Sequence, residues 1–152
     1  MSRGGYDKYI AVFSPEGLLY QVEYAFQAIK FPGLTTVAVR GQDTVFILTQ
    51  HKVSDRLMKT DSITSTYQIA QHLGCVATGR APDGKNLVGT ARQEASDYKS
   101  KYGLPIPIRT LCKRMGDEAQ VRTQQAGMRP MGASLTFISM DQDDDGKVQG
   151  QI

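Results

Sequence analysis

The stretch "YDKYIAVFSPEGLLYQVEYAF", residues 6–26, is the most distinctive part of this chain. Residues 1–12 are polar and glycine-rich, so they predict a flexible arm. At "FSPEG" the chain must turn, because Pro15 fixes its own φ and Gly17 can adopt a positive φ. The sequence therefore predicts an arm that is joined through a tight turn to the domain beginning at residue 13.

A helix is predicted directly after this turn, over residues 18–31. Its apolar residues recur three and four positions apart, which is the spacing of a helix buried on one face: Val22, Ala25, Phe26 and Ile29. Tyr20 and Tyr24 add rings that can cover apolar surface while offering a hydroxyl group, which suits an interface. An ordinary helix packed on its own sheet is the alternative interpretation, and composition alone does not decide between the two.

The remainder of the chain, up to residue 152, predicts one α+β domain, because runs of strands are followed by runs of helices. The β-type runs are rich in Val, Ile, Thr and Phe, and short turns join them in pairs. In chain order the predicted elements are strands at 34–40, 44–50, 64–70 and 73–79, helices at 85–102 and from Ile108 onward, and a strand at 133–140. The helix at 85–102 is predicted to bury one apolar stripe, formed by Leu87, Val88, Ala91, Ala95 and Tyr98.

Composition is that of a soluble globular domain, since 40% of the 152 residues are hydrophobic and 22% are charged. Apolar runs are too short to span a membrane, and "MSRGGYDKYI" lacks the apolar stretch of a secretory signal. The net charge is +3, but the basic residues are scattered, which argues against nucleic-acid binding. Cys75 and Cys112 have no metal-site spacing, so we expect buried, reduced thiols in a cytosolic protein.

The segment "GRAPDGKN", residues 79–86, is similar to a phosphate-binding loop but lacks one residue that such a loop needs. Asn86 stands where a serine or threonine hydroxyl would hold Mg²⁺. Two pairs of strands also precede it, whereas a phosphate-binding loop belongs to a strand–helix–strand unit. We therefore expect no nucleotide cofactor here, and we interpret the segment as a turn that places Asp83 near the N-terminus of the next helix, where its charge suits the dipole.

The segment "DQDDDGKVQGQI", residues 141–152, opens like a calcium-binding loop. Asp141, Asp143, Asp145 and Gly146 match the first positions of that loop, but Ile152 stands where a bidentate glutamate is required. The preceding residues are also strand-like rather than helical. The sequence therefore predicts a solvated acidic turn and no metal site.

The opening stretch resembles the N-terminal signature of the alpha subunits of the 20S proteasome, in "YD", "FSPEG" and "QVEYA". The likeness continues through "GLTTVAVRG", "HKVSDRL", "GCVATG" and "MRPMGASL", and it is nearest to the alpha-1 type. It implies the N-terminal-nucleophile hydrolase fold, an αββα sandwich of two antiparallel sheets between helix layers. Such subunits continue well past "VQGQI", so the sandwich is expected to be incomplete at its C-terminal end.

The resemblance implies a subunit without peptidase activity. Related beta subunits use an N-terminal threonine whose free amine is the base. In this chain Leu34 aligns with the nucleophile, Gln50 replaces the acid, and a neutral residue near Thr66 replaces the lysine. Thr35 and Thr36 lie nearby but are internal, so neither has a free amine. The alternative from another class is an active threonine-type hydrolase.

The role that the resemblance implies is assembly and gating. Seven different alpha subunits form the outer ring, and their arms close the axial pore. Tyr6, Asp7, Pro15 and Tyr24 match the positions that hold such arms in the open state. Lys8 follows the tyrosine–aspartate pair where many relatives have arginine, and lysine lacks the planar fork that pairs bidentately with a carboxylate.

The partners implied are the neighbouring alpha subunits, the beta subunits and the activator particles that dock on the alpha ring, without nucleic acid, membrane or cofactor. Activators commonly place a C-terminal carboxylate on a lysine between subunits, and Ser65 stands at that position here. The resemblance further implies ubiquitin-dependent protein degradation in the cytoplasm and nucleus.

Overall fold

The helices and strands follow the predicted order, with several ends shifted. The computed structural model describes residues 5–53, 55, 57–142 and 148–152. The elements are α1 (Tyr20–Lys30), β1 (Thr36–Arg40), β2 (Val45–Thr49), a 3₁₀ turn (Thr60–Ser62), β3 (Thr66–Ala70), β4 (Leu73–Gly79), α2 (Ala81–Tyr102), α3 (Ile108–Gln124), β5 (Ala133–Gln142) and β6 (Val148–Gln151).

The strands form two antiparallel sheets that lie face to face. One sheet is the β1–β2 hairpin, and the other has the order β3–β4–β5–β6. The hairpin contacts β5, and Val45 at the start of β2 lies so close to Gly150 in β6 that a side chain at Gly150 would collide with it. Both α2 and α3 pack on the four-stranded sheet. The predicted α+β sandwich is therefore confirmed for the two sheets and for the helix layer formed by α2 and α3.

The core lies between the two long helices and the four-stranded sheet. As the period predicted, one stripe of α2 is buried there, and Leu111 and Met115 of α3 join it. The buried cluster comprises Leu73, Cys75, Leu87, Val88, Ala91, Ala95, Ile106, Ile108, Leu111, Met115, Ala133 and Phe137. The expectation that Cys112 is buried is wrong, because the inner line of α3 runs through Ile108, Leu111 and Met115 and leaves the Cys112 side chain exposed.

Helix α2 begins at Ala81, so the interpretation of residues 79–86 as a turn is wrong for most of that segment. Pro82 is tolerated because the first backbone N–H groups of a helix have no partner within it. At Gly84 an added Cβ would lie 2.9 Å from the Ala77 Cβ, so this glycine lets α2 approach β4 closely. The glycine and proline of the phosphate-loop-like pattern are thus explained by helix initiation and helix–sheet packing.

Asp141 has a structural role that the sequence did not predict. It lies in β5, and its Oδ2 accepts a hydrogen bond of 3.0 Å from the backbone N–H of Ile108, the first residue of α3. The Ser139 hydroxyl donates to its Oδ1. Asp143, Asp145 and Gly146 lie outside the described residues. For Asp141 itself, the predicted solvated turn is therefore wrong.

The β1–β2 hairpin carries an apolar surface on the side facing away from the second sheet, which we call the outer face. It consists of the cross-strand pairs Val37–Leu48 and Val39–Phe46, and these four side chains are between 50% and 69% exposed. Within the described part of the chain, no helix has the length and apolar character needed to cross a membrane.

Candidate functional site

The turn between the arm and α1 is organised by Ser14, which the sequence reasoning did not single out. Ser14 is only 5% exposed. Its carbonyl accepts from the Gly17 N–H at 2.9 Å, its N–H donates to the Leu18 carbonyl at 2.9 Å, and its hydroxyl accepts from the Leu18 N–H at 3.1 Å. Because these bonds hold residues 14–18 in the turn, α1 begins at Tyr20 rather than at the predicted residue 18. Pro15 is exposed at the tip of this turn.

Helix α1 lies on the rest of the domain through its predicted apolar stripe, but it is not deeply buried. All eleven of its residues are described, and none of them is fully buried. Glu23 in its first turn and Lys30 in its last turn suit the helix dipole. The helix is therefore held by one partly covered stripe, which leaves its outer side available for contacts with other chains.

The arm is tied to α1 by a side chain of the helix. The Gln21 amide donates a hydrogen bond to the backbone carbonyl of Asp7. On the same helix, Tyr20 and Tyr24 stack with their ring centroids 6.4 Å apart, and the Tyr20 hydroxyl donates to Glu16 at 3.0 Å. The arm, the turn and the helix are thus connected in one unit.

The predicted gating residues all belong to this unit. Tyr6 and Lys8 are exposed on the arm, and Asp7 is half-buried beside the first turn of α1. Pro15 lies on the turn, and Tyr24 is half-buried on the helix. The structure therefore brings the backbone of Asp7 to α1, while the cluster of all four open-state side chains stays a prediction.

A cleft of about 460 Å³ separates the arm from the end of α3, and no pattern in the sequence predicted it. Its lining comes from two segments far apart in the chain, with Gln21 between them: Lys8, Tyr9, Ile10, Ala11, Val12, Gln21, Gln124, Ala126, Gly127 and Met128. The arm thus lies beside the segment that leads from α3 to β5.

The same segment is fixed to α2 by Asp83, an arrangement that we call the Asp83 anchor. The Arg129 guanidinium donates to both carboxylate oxygens, at 2.7 and 2.8 Å, and the Gly132 N–H donates to Oδ2 at 2.8 Å. The hydrogen bonds from Arg129, and then the one from Gly132, lower the pKa of the buried Asp83 carboxyl from its ordinary value to about 2. Gly132 in turn lies against Ala28, where an added Cβ would be 3.0 Å from the Ala28 Cβ, so the anchor supports α1.

The residues aligned with a threonine-protease centre are engaged in hairpin hydrogen bonds. The Thr36 and Thr49 hydroxyls lie 2.9 Å apart, and the Thr35 backbone N–H donates to the Gln50 side-chain oxygen at 3.4 Å. Leu34, which aligns with the nucleophile, immediately precedes Thr35 in the chain. The nitrogen of Thr35 is part of a peptide bond, so it cannot act as the basic amine that such a mechanism needs.

Ser65 lies in the loop before β3, where it is half-buried and its carbonyl accepts a 2.8 Å hydrogen bond from the Ala77 N–H. Its side chain carries no charge that could hold a carboxylate. The residues that the structure describes contain no group of three or more His, Cys, Asp or Glu side chains that could bind a metal ion.

Comparison with protein families identifies the class. The model of the family described as "Proteasome subunit" matches residues 31–149, and the model of the N-terminal signature of A-type proteasome subunits matches residues 6–28. The chain therefore belongs to the proteasome subunit family, and it has the N-terminal signature of the alpha subunits.

Individual relatives agree with this assignment. The chain is 58% identical to the proteasome alpha type-1 subunit of Trypanosoma brucei brucei, over 95% of this chain and 54% of the relative. It is 49% identical to the proteasome alpha type-6 subunit of Caenorhabditis elegans, over 93% of this chain and 58% of the relative. It is 39% identical to the proteasome alpha subunit of Methanosarcina acetivorans, over 90% of this chain and 55% of the relative. The chain thus spans little more than half the length of these curated relatives.

Proposed function

We propose that this chain acts as a non-catalytic subunit of the outer alpha ring of the 20S proteasome, where it supports ring assembly, pore closure and activator docking. The observation that carries the proposal is the unit formed by residues 6–28, in which a signature-matching arm is tied through Asp7 and Gln21 to a helix that has no fully buried residue. Its partners would be neighbouring alpha subunits, the beta subunits and activators. Its setting would be ubiquitin-dependent protein degradation in the cytoplasm and nucleus.

The way in which the parts of this unit are held supports a role in gating. Tyr6 and Lys8 are exposed on the arm, and the described link from the arm to α1 is the bond from Gln21 to the Asp7 carbonyl. An arm attached in this way can move without disturbing the core. The proposed open state brings Tyr6, Asp7, Pro15 and Tyr24 together, within one subunit or across two. Lys8 would make weaker contacts with a carboxylate than an arginine at that position, because it lacks the planar guanidinium. Activator docking in the pocket of this subunit would be weak at Ser65, which lacks the lysine charge.

Absence of peptidase chemistry is the first testable consequence. Because Thr35 has an amide nitrogen and the Thr36 hydroxyl is paired with Thr49, a threonine-directed epoxyketone inhibitor should label neither residue. The measurement is intact-protein mass spectrometry after incubation, with an active beta subunit of a proteasome as the positive control. A covalent adduct that maps to Thr35 or Thr36 would support the alternative, an active threonine hydrolase.

The gate is tested in an assembled particle that contains this subunit extended to the length of its relatives. Tyr24→Phe and Asp7→Ala should each lower activator-stimulated entry of fluorogenic peptides by about tenfold, because loss of one hydrogen bond of about 1–3 kcal/mol shifts an open–closed balance by that order. Deleting residues 2–9 should instead raise basal entry, because the plug is removed.

Two matched substitutions serve as controls for the gate experiment. Tyr102→Phe removes a tyrosine hydroxyl at the half-exposed end of α2, and Asp43→Ala removes a carboxylate in the β1–β2 loop. Both positions lie away from the arm, so both substitutions should leave peptide entry unchanged. If the deletion leaves basal entry unchanged while both point variants open normally, this arm is not part of the gate.

A further inference from the structure

The end of the helix pair where α2 passes into α3 carries the whole excess of positive charge of this chain, and we call residues 98–116 the basic tip. Its charged side chains are all basic: Lys99, Lys101, Arg109, Lys113 and Arg114. The other residues include 13 of the 18 basic and all 15 acidic side chains, so they carry a net charge of −2, against +3 for the whole chain. These basic residues are scattered in the sequence, but α2 and α3 pack against each other and gather them at one end.

Four of these five cations have no carboxylate partner within the part of the chain that the structure describes. The exception is Arg114, which pairs with Glu94 at 2.9 Å and lies 5.3 Å from the centroid of the Tyr98 ring. The Lys101 Nζ lies 5.3 Å from the centroid of the Tyr102 ring, a contact that orients the ammonium group without neutralising it. Protein surfaces usually intersperse charges of both signs, so this cluster of uncompensated cations suits a negatively charged partner.

The loop at the centre of the basic tip is held in place and exposes one apolar side chain. Gly103 has a φ of 74°, and its N–H donates to the Lys99 carbonyl at 2.8 Å, which closes α2. Ile106 is 1% exposed, and its carbonyl accepts a hydrogen bond of 2.9 Å from the His72 Nε2. Between these two fixed points, the Leu104 side chain is 65% exposed. Because the loop is already ordered, a partner that contacts Leu104 would not have to order it on binding.

We propose that the basic tip docks an acidic segment of another protein, one that carries an apolar side chain among its carboxylates. The carboxylates would contact the exposed ammonium and guanidinium groups, and the apolar side chain would cover Leu104. This surface is distinct from the arm and from α1, so the inference stands whether or not the arm is a gate.

The limited extent of the basic tip favours an acidic protein segment over a nucleic acid. Carboxylates border it on both helices: Glu94 and Asp97 in α2, and Asp117 and Glu118 in α3. The part of α3 within the tip, residues 108–116, is only about 12 Å long. A nucleic acid carries a phosphate at every nucleotide and would continue onto these carboxylates, which lie within about one Debye length of the cations. A short acidic segment ends before it reaches them.

The test measures fluorescence anisotropy of a labelled peptide titrated with the full chain. The probe has about eight residues, glutamate at all but two of them and leucine at those two, and it spans about 26 Å when extended. It should bind with a Kd of about 10–100 μM at about 0.1 M salt. A peptide with glutamine in place of every glutamate should bind at least tenfold more weakly. Raising the salt to about 1 M, where the Debye length falls from about 10 to about 3 Å, should weaken the glutamate peptide about tenfold.

Two triple substitutions separate the basic tip from net charge. The tip variant replaces three exposed cations without a described carboxylate partner: Lys99→Gln, Arg109→Gln and Lys113→Gln. The matched control replaces two exposed lysines and one exposed arginine elsewhere: Lys30→Gln, Arg40→Gln and Lys59→Gln. Both lower the net charge equally. The tip variant should weaken the glutamate peptide at least tenfold, and the control should change its affinity less than about twofold.

A second pair of substitutions tests the apolar contact. Leu104→Ser should weaken the glutamate peptide about threefold, because the leucine of the peptide loses the surface that it covers. Leu57→Ser, at a leucine that is 93% exposed outside the basic tip, should leave the affinity unchanged. Equal affinity of these two variants would remove the apolar side chain from the proposed partner.

Other outcomes would overturn the docking itself. Equal weakening by the two triple variants would show that net charge, rather than the basic tip, attracts the peptide. Tighter binding of an oligothymidylate of the same charge would make the surface a nucleic-acid site. Asp143, Asp144 and Asp145 lie outside the described residues, and replacing all three by asparagine tests whether they compete. Peptide binding that appears only in that variant would show that the acidic run of the chain itself satisfies the cations.

Discussion

The 152-residue chain on its own should self-associate at micromolar concentration through the outer face of its β1–β2 hairpin. Val37, Val39, Phe46 and Leu48 form two adjacent cross-strand pairs there, and each is at least half exposed. Grouped apolar surface of this kind associates, and each of these strands has just one neighbour in the described sheet, so its other edge is a template for pairing with a second chain.

A double substitution that charges this face should restore the monomer. Phe46→Lys with Leu48→Glu removes the two largest apolar side chains, each worth about 1.5–3 kcal/mol when fully buried, so association should weaken at least a hundredfold. Sedimentation velocity across a concentration series measures the change.

The control uses the same residue types at more exposed but separate positions. Phe31 and Leu57 are 91% and 93% exposed, so Phe31→Lys with Leu57→Glu adds the same charges and removes even more accessible apolar surface. This control should associate like the unsubstituted chain. Equal solubilisation by both pairs would mean that general charge, rather than the outer face, governs association.

The elements that could be predicted from the sequence are those specified by local periodicity. The apolar stripe of α2 is set by residues three and four positions apart, and its buried members agree with the prediction. The hairpin pairs likewise follow from neighbouring runs of β-branched residues with short turns between them. The alpha-subunit resemblance rests on the opening stretch and on several shorter segments along the chain, and the family comparisons confirm it.

The predictions that failed depended on partners far away in the chain. The glycine and proline of residues 79–86 predict a turn, but Gly84 is required by contact with Ala77 and the start of α2 is held through Asp83. The acidic neighbours of Asp141 predict a solvated side chain, although its partner is the backbone N–H of Ile108 at the start of α3. No local pattern signals such contacts.

In the candidate site, too, local sequence predicts some features, while contacts between distant parts of the chain determine others. Its residues could be proposed from the signature, but the parts that support them could not. Ser14 organises the turn that carries Pro15. The segment from α3 to β5 lies beside the arm where it leaves α3, and it contacts α1 where it reaches β5. Asp83 holds the middle of that segment through Arg129, so we expect this carboxylate to stabilise the segment that supports α1.

Replacement of Asp83 by alanine should therefore lower the free energy of unfolding by about 3 kcal/mol. The buried carboxylate accepts three hydrogen bonds, and its loss leaves the buried Gly132 N–H without an acceptor and removes both bonds that tie Arg129 to α2. Urea unfolding in the solubilised Phe46→Lys, Leu48→Glu background measures the change. Asp97→Ala, an exposed aspartate on the same helix, is the control and should alter stability by less than about 0.5 kcal/mol.

The contribution of Asp83 should also depend on pH in a direction fixed by its pKa. Folding lowers that pKa from 3.8 to about 2, so the folded state favours the carboxylate over its protonated form. The resulting stabilisation, about 2–3 kcal/mol, is fully present above pH 4 or so and is lost as the pH falls towards 2. Asp83→Asn cannot titrate, so the stability difference between it and the parent chain should shrink across that interval. A difference that stays constant down to about pH 2 would show that Asp83 acts through shape rather than charge, and the ion pair with Arg129 would then not be what fixes the segment beneath α1.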